Sequence, residues 1–322
     1  MLMKNNASLW RKALVSFCIA ISVLAVMVPV SALSTAPSSS RDLPDPSVLV
    51  DGGRYYVYAT GSNSNLQVTS SNDMQTWSSV TDPLPRLPRW ASAPWTWAPA
   101  VTKLGSTYVM YYTAHHSSWN VQCLSVATST NPNGPFRDTS KAPFVCQRNL
   151  GGSIDPQPFV APNGARYLVW KSDNNAVGNP TQVWSQSLAS NGLSLVGAPV
   201  KLLDASAAWQ GAIIEGPDMI YQSGAYYLFY GANDWTSANA GIGYAKCSGP
   251  TGPCINQSVS QAWLGSRSEA QGPSGPAIFT DLTGATRLAY HSWGTGPVGY
   301  PYGVRSLWID PISFSGGVPV LN

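Results

Sequence analysis

Asp45-Pro46, Asp155-Pro156 and Glu215-Gly216-Pro217 each open a short apolar stretch, and the three acids lie 110 and 60 residues apart. Carboxylates gathered into one cavity repel each other, so a fold that converges them uses their chemistry. The chain has only two glutamates, Glu215 and Glu269. Glu215 follows Ala212-Ile213-Ile214. An apolar neighbourhood disfavours a charged carboxylate, and a second carboxylate nearby disfavours it further. A carboxyl that keeps its proton near neutral pH can donate it to a glycosidic oxygen. A second, ionised carboxylate can then activate water or attack the sugar, and Asp45 or Asp155 could do so. Asp-Pro is also a common turn dipeptide, and Asp82-Pro83 and Asp310-Pro311 read as structural.

Positioning three distant acids together requires a repeating frame, and the sequence carries one. A turn glycine followed by an aromatic-rich strand recurs at Gly53 (GRYYVYAT), Gly105 (GSTYVMYYT), Gly164 (GARYLVWK), Gly224 (GAYYLFYG) and Gly284 (GATRLAYH). Each copy is preceded by a short strand with proline near its start: Asp45-Pro46, Ala98-Pro99, Asp155-Pro156, Glu215-Gly216-Pro217 and Gly275-Pro276. The spacing of about 50–60 residues suits four short strands per unit, and the fold expected is an all-β, five-bladed propeller with four-stranded antiparallel blades. A β-sandwich is the alternative, but it does not call for repeats at this spacing. The upstream strands would line the central channel, three of them beginning with an acid. No long helix is evident after the N-terminal segment.

These residues, taken in order, resemble glycoside hydrolase family 43. The likeness rests on the early DPSV segment at Asp45, Trp97-Ala98-Pro99, the SIDPQPF segment around Asp155, Glu215-Gly216-Pro217, and the late Tyr290-His291-Ser292-Trp293 followed by Arg305. It covers nearly all of the chain after the N-terminal segment. The resemblance implies a five-bladed propeller and hydrolysis with inversion. It casts Asp45 as general base, Glu215 as general acid and Asp155 as the residue that tunes and holds the acid. Inversion leaves room for a water, so the Asp45 and Glu215 carboxyls should stand about 6.5–9.5 Å apart. The same likeness places Arg305 beside the carboxylates, where it keeps Asp45 ionised, and His291 in the channel. Some members hold a calcium ion there through a histidine and waters. Imidazole is a poor calcium ligand, and a hydrogen-bonded structural histidine is the alternative. No cofactor is otherwise required. Trp97 is the aromatic expected in the substrate site. Trp95, Trp119, Trp209, Trp235 and Trp293 fall in or near loops, and His115 and His116 are expected in a solvated loop after the second repeat strand, with a place at the rim as the alternative. Many members carry an acid just after the WAP proline; here Ala100 and Val101 follow, which removes any substrate contact made there.

The ends and composition set the context. Lys4, Arg11 and Lys12 precede an apolar run from Ala13 to Val30, and Val30-Ser31-Ala32 has a signal-peptidase pattern. Residues 1–32 therefore read as a secretory signal, with an uncleaved anchor as the alternative. Residues 33–41 read as a Ser/Pro linker and 42–322 as the catalytic propeller. The signal holds three of the 18 basic residues, leaving 15 against 15 acidic, a balance that points to neither nucleic acid nor a membrane surface. Few charges among many aromatics suit a protein that handles neutral polymers. Cys123, Cys146, Cys247 and Cys254 remain, an even number that favours disulfides in an exported chain. Cys247 and Cys254 flank a tight Gly-Pro turn, which leaves Cys123 with Cys146. Zinc fits poorly, since there is no C-x-x-C and only three histidines.

The activity expected is that of a secreted, monomeric inverting hydrolase of arabinose- or xylose-containing plant polysaccharides or oligosaccharides. An exo-acting α-L-arabinofuranosidase is favoured, with endo-arabinanase and β-xylosidase beside it. A retaining, invertase-like propeller and a non-catalytic sugar-binding propeller are the competing classes.

Overall fold

The computed structural model describes residues 1–2 and 33–322, so the signal reading at 1–32 lies outside the described residues apart from Met1 and Leu2. Residues 33–322 form a five-bladed propeller. Blade I holds β2 (Ser47–Asp51), β3 (Arg54–Thr60) and β4 (Leu66–Ser71). Blade II holds β5 (Ala91–Leu104), β6 (Thr107–His116) and β7 (Val121–Ser129). In both, the fourth edge is reduced to isolated bridges, Val68 with Thr81 and Leu124 with Val145. Blade III is β8 (Ser153–Val160), β9 (Arg166–Ser172), β10 (Gln182–Leu188) and β11 (Leu195–Asp204). Blade IV is β12 (Ile214–Gln222), β13 (Ala225–Ala232), β14 (Gly241–Cys247) and β15 (Cys254–Asn256). Blade V is β16 (Gln271–Thr280), β17 (Thr286–Trp293) and β18 (Arg305–Ser315), extended by β19 (Val318–Leu321). Its remaining strand is β1 (Ser39–Asp42), which pairs with β18. Residues 39–41 of the stretch expected as a linker thus begin a strand that closes the ring.

The five aromatic-rich segments are the second strands β3, β6, β9, β13 and β17. They are apolar on both faces because each blade packs against two neighbours. Successive side chains of a strand point to opposite faces. Tyr56 and Tyr58 join Met110 and Tyr112 of blade II in one buried cluster. Tyr55 and Val57 join Ala289 and Leu307 of blade V in another. Val109 and Tyr111 meet Leu168 and Trp170 between blades II and III. Val169 meets Leu228 and Tyr230 between III and IV. Tyr227 and Phe229 meet Leu288 and Tyr290 between IV and V. Five clusters at five blade contacts form a closed apolar ring, which leaves the inner strands free to carry polar residues into the channel.

Both expected disulfides are present. Cys123–Cys146 ties β7 to the following loop, and Cys247–Cys254 bridges β14 and β15. Among the described residues, helix is limited to three short 3-10 turns. Asp82 and Asp310 are structural. Asp82 accepts backbone N–H groups of Asn65, Leu66 and Leu84, and Asp310 accepts from Ser34 and Tyr290.

Candidate active site

Each inner strand is kinked at its X-Pro step. Asp45, Ala98, Asp155, Gly216 and Gly275 have φ of 53°, 44°, 56°, 52° and 61°. Left-handed backbone costs a non-glycine residue of order 1–3 kcal/mol and persists where the surroundings enforce it. In β5, β8, β12 and β16 the ladder shifts register at or beside this step, which marks a bulge. Bulges re-aim side chains, here toward the channel mouth. Asp45 and Asp155 occupy this kinked position. Glu215 does not; it stands one residue earlier, and Gly216 takes the kink. The acids are therefore not in identical register, and Glu215 leaves its strand in a different direction from the two aspartates.

A second ring supports the first. One residue near the end of each second strand faces the residue before the kink: Thr113 pairs with Trp97, Lys171 with Ile154, Gly231 with Glu215 and His291 with Ser274. In blade I the Thr60 N–H donates to Pro44 O at 2.9 Å, which puts Thr60 in the same place. Side chains of this ring hold the kink of the next blade. The Ala98 N–H donates to Thr60 Oγ1 at 2.9 Å, the Asp155 N–H to Thr113 Oγ1 at 3.1 Å, and the Asp45 N–H to His291 Nδ1 at 2.9 Å.

Asp45 sits between a cation and a hydroxyl. Arg305 Nη1 is 3.4 Å from its Oδ1, and Thr60 Oγ1 donates to its Oδ2 at 2.5 Å. Burial opposes its ionisation, but the Arg305 charge and the Thr60 bond outweigh that and hold the carboxyl below the usual range. Arg305 is itself caged, with its guanidinium 4.5 Å from the Trp235 ring centre and 5.4 Å from that of Tyr300. Tyr300 donates to Asp42 at 2.8 Å, and Arg305 Nε to the Tyr300 oxygen at 3.2 Å.

Asp155 and Glu215 form the opposite wall. Asp155 Oδ2 accepts the Gly216 N–H at 2.8 Å. Lys171 Nζ donates to Glu215 Oε2 at 3.2 Å and lies 3.6 Å from Asp173 Oδ1. Burial pushes Asp155 up to about 7. The Lys171 cation works against this, and the Glu215 and Asp45 charges add to it. Burial opposes the Lys171 ammonium, but the Glu215, Asp155 and Asp173 carboxylates more than offset it. Asp155 is thus raised by its burial, and the lysine against Glu215 has no counterpart in the argument from Ala212-Ile213-Ile214.

All these groups border one cleft of about 950 Å³. Trp97 lines it, with Ala100 where an acid was expected to be missing. Trp95, Trp235, Tyr300, Lys171 and Asp173 line it as well. Trp119 stacks on His116 instead, Trp209 on Tyr230, and Trp293 is fully buried. His115 and His116 end strand β6 and do not lie in a solvated loop: His116 is buried, and His115 meets the edge of Trp95 at 4.8 Å.

The residues do not fit a calcium ion held by His291. Burial and the Arg305 charge push its pKa down to about 3, so the ring is neutral. Nδ1 accepts the Asp45 N–H, so the single ring hydrogen sits on Nε2, and that nitrogen has no lone pair to offer. The 3.5 Å approach of Nδ1 to Asp45 Oδ1 is for the same reason not an ion pair. Among the described residues no three His, Cys, Asp or Glu side chains gather as a metal set.

A propeller whose kinked inner strands bring an arginine-paired aspartate, a buried aspartate of raised pKa and a lysine-paired glutamate to one cleft is built as a glycosidase. The chain matches the model of glycosyl hydrolases family 43 over residues 34–319, and it belongs to that family. It is 24% identical to the extracellular endo-α-(1→5)-L-arabinanase 1 of Bacillus subtilis, over 88% of each chain. It is 25% identical to the probable arabinan endo-1,5-α-L-arabinosidase A of Aspergillus oryzae, over 88% of this chain and 92% of that one. The crystal structure of a thermostable family-43 glycoside hydrolase superposes with a TM-score of 0.80 at 26% identity, covering 91% of this chain and 96% of the other.

Proposed function

We propose that this hydrolase is secreted and cleaves α-1,5-linked L-arabinan within the chain, with inversion. Asp45 is the general base, Glu215 the general acid and Asp155 the carboxyl that tunes and holds it. The carrying observation is the contrast between the two walls. Arg305 and Thr60 favour the ionised form of Asp45, whereas Asp155 keeps a proton to about pH 7 beside Glu215. Lys171 contacts Glu215 at 3.2 Å, and Asp155 is tied to the adjoining Gly216 N–H. In the reaction Asp45 takes a proton from water as its oxygen bonds to the anomeric carbon. Glu215 gives its proton to the leaving oxygen as the glycosidic bond breaks, and solvent then restores both groups.

Endo action is favoured over the exo-acting arabinofuranosidase for two reasons. A cleft of about 950 Å³ is large for a single pentose ring and is at the upper end of small-ligand sites. Both relatives named above carry endo-arabinanase names. Export is supported by the extracellular relative and by the two disulfides. The test is digestion of linear arabinan beside aryl arabinofuranoside and aryl xyloside. Internal cleavage releases oligosaccharides before free arabinose. Arabinose as the first and only product identifies exo action, and preference for the xyloside overturns the arabinan reading.

A further inference from the structure

Blade III departs from the pattern that the second ring follows in blades I, II and V. Thr60, Thr113 and His291 each accept the N–H of the next blade's kinked residue, and Gly231 has no side chain to offer. Blade III has Lys171 at that place, and an ammonium can only donate. The Gly216 N–H turns to Asp155 Oδ2 instead. An acceptor has been exchanged for a buried cation, 1% exposed, that reaches Glu215 at 3.2 Å and is backed by Asp173 at 3.6 Å. Burying a charge is costly, and a threonine would have served the backbone as it does in blades I and II.

We propose that Lys171 is the positioning residue of the acid step, fixing the Glu215 carboxyl and supplying the counter-charge it needs once its proton has left. This rests on reading Glu215 as the acid. The Glu215 O–H bond breaks, the proton joins the glycosidic oxygen as the C–O bond opens, and the new carboxylate remains against Nζ. Lys171 keeps all its protons throughout. Asp173 holds the ammonium from the other side.

The experiment compares a substrate whose leaving group needs a proton with one that does not. In Lys171→Met, kcat on linear arabinan should fall on the order of 10²-fold, the low end of general-acid effects, with KM little changed. The same variant should lose far less on 2,4-dinitrophenyl arabinofuranoside. Its alkaline limb of kcat/KM should move to higher pH, because removing a cation favours the protonated acid. Lys171→Arg should restore part of the rate. Equal losses on both substrates with an unmoved limb would make Lys171 a packing residue and overturn the proposal. Should Lys171→Met fail to fold by circular dichroism, Asp173→Asn, which leaves the lysine in place, should show the same substrate bias to a smaller degree; no bias overturns the proposal. Glu215→Gln is measured in parallel: if it lacks the bias toward the dinitrophenyl substrate, the acid assignment itself fails and the proposal falls with it.

Discussion

The backbone N–H of Asp45 donates to Nδ1 of His291 at 2.9 Å, so the imidazole of blade V holds the kink that aims the Asp45 carboxyl of blade I. Nε2 therefore carries the ring hydrogen, and in the described structure it has no partner. Removing divalent ions with EGTA should leave activity on arabinan unchanged, and added calcium should not raise it. His291→Ala should lower both activity and stability, since an orphaned buried N–H costs about 1–3 kcal/mol. Kinetics with and without chelator, and calorimetry of the variant, check both statements. Activity lost to EGTA and restored by calcium would show that the ring turns over to bind metal.

Gly275 makes a sharper steric prediction. A Cβ there would lie 2.9 Å from His291 Nδ1 and 3.2 Å from Asp45 Cα, on a residue with φ of 61°. Gly275→Ala should cost about 1–3 kcal/mol by strain alone and should displace Asp45. Denaturant unfolding and kcat measure the two effects, and kcat should fall by more than the folded fraction does.

The raised pKa of Asp155 makes stability depend on pH with a defined sign. The folded carboxyl releases its proton near 7, and an unfolded one near 3.9. Between these values the folded chain binds more protons, so stability falls as pH rises through that window. Asp155→Asn should flatten the decline in melting temperature between pH 5 and pH 8. It should not abolish it, because burial also pushes Asp218 up to about 7. An unaltered slope would mean that Asp155 ionises normally.

Trp95 is 49% exposed and lines the cleft beside Trp97. An aromatic so placed suits a sugar ring distant from the scissile bond, as binding for long substrates requires. Trp95→Ala should raise KM for arabinan by roughly 5- to 10-fold, about what one aromatic contact of 1–1.5 kcal/mol provides. Aryl arabinofuranoside kinetics should stay near those of the parent. Equal effects on both substrates would place Trp95 at the reacting ring.

The propeller was legible because each second strand starts at a turn glycine and is buried on both faces, as Tyr55 to Tyr58 illustrate. Ring closure was not: Ser39–Asp42 pairs with a strand more than 260 residues away, and nothing local in Ser-Ser-Arg-Asp announces it. Asp45, Asp155 and Glu215 could be read from their prolines, but the one-residue offset of Glu215 depends on which residue takes the left-handed backbone. Lys171 lies within the third repeat, but its residue type alone does not mark it as part of the site. Aligned on the turn glycines, Thr60, Lys171, Gly231 and His291 are each seven residues on, and Thr113 is eight. A lone lysine ending an apolar strand was the available signal. Trp235 and Tyr300 reach the cleft from irregular loops, whose paths no periodicity encodes.

In the proposed reaction Asp45 directs a water at the anomeric carbon while Glu215 protonates the leaving oxygen. Proton NMR of the first-formed products from an α-L-arabinofuranoside tests it most directly. β-Arabinofuranose should appear first and then mutarotate. An α product appearing first would mean net retention, and would contradict the single displacement that this geometry is proposed to perform.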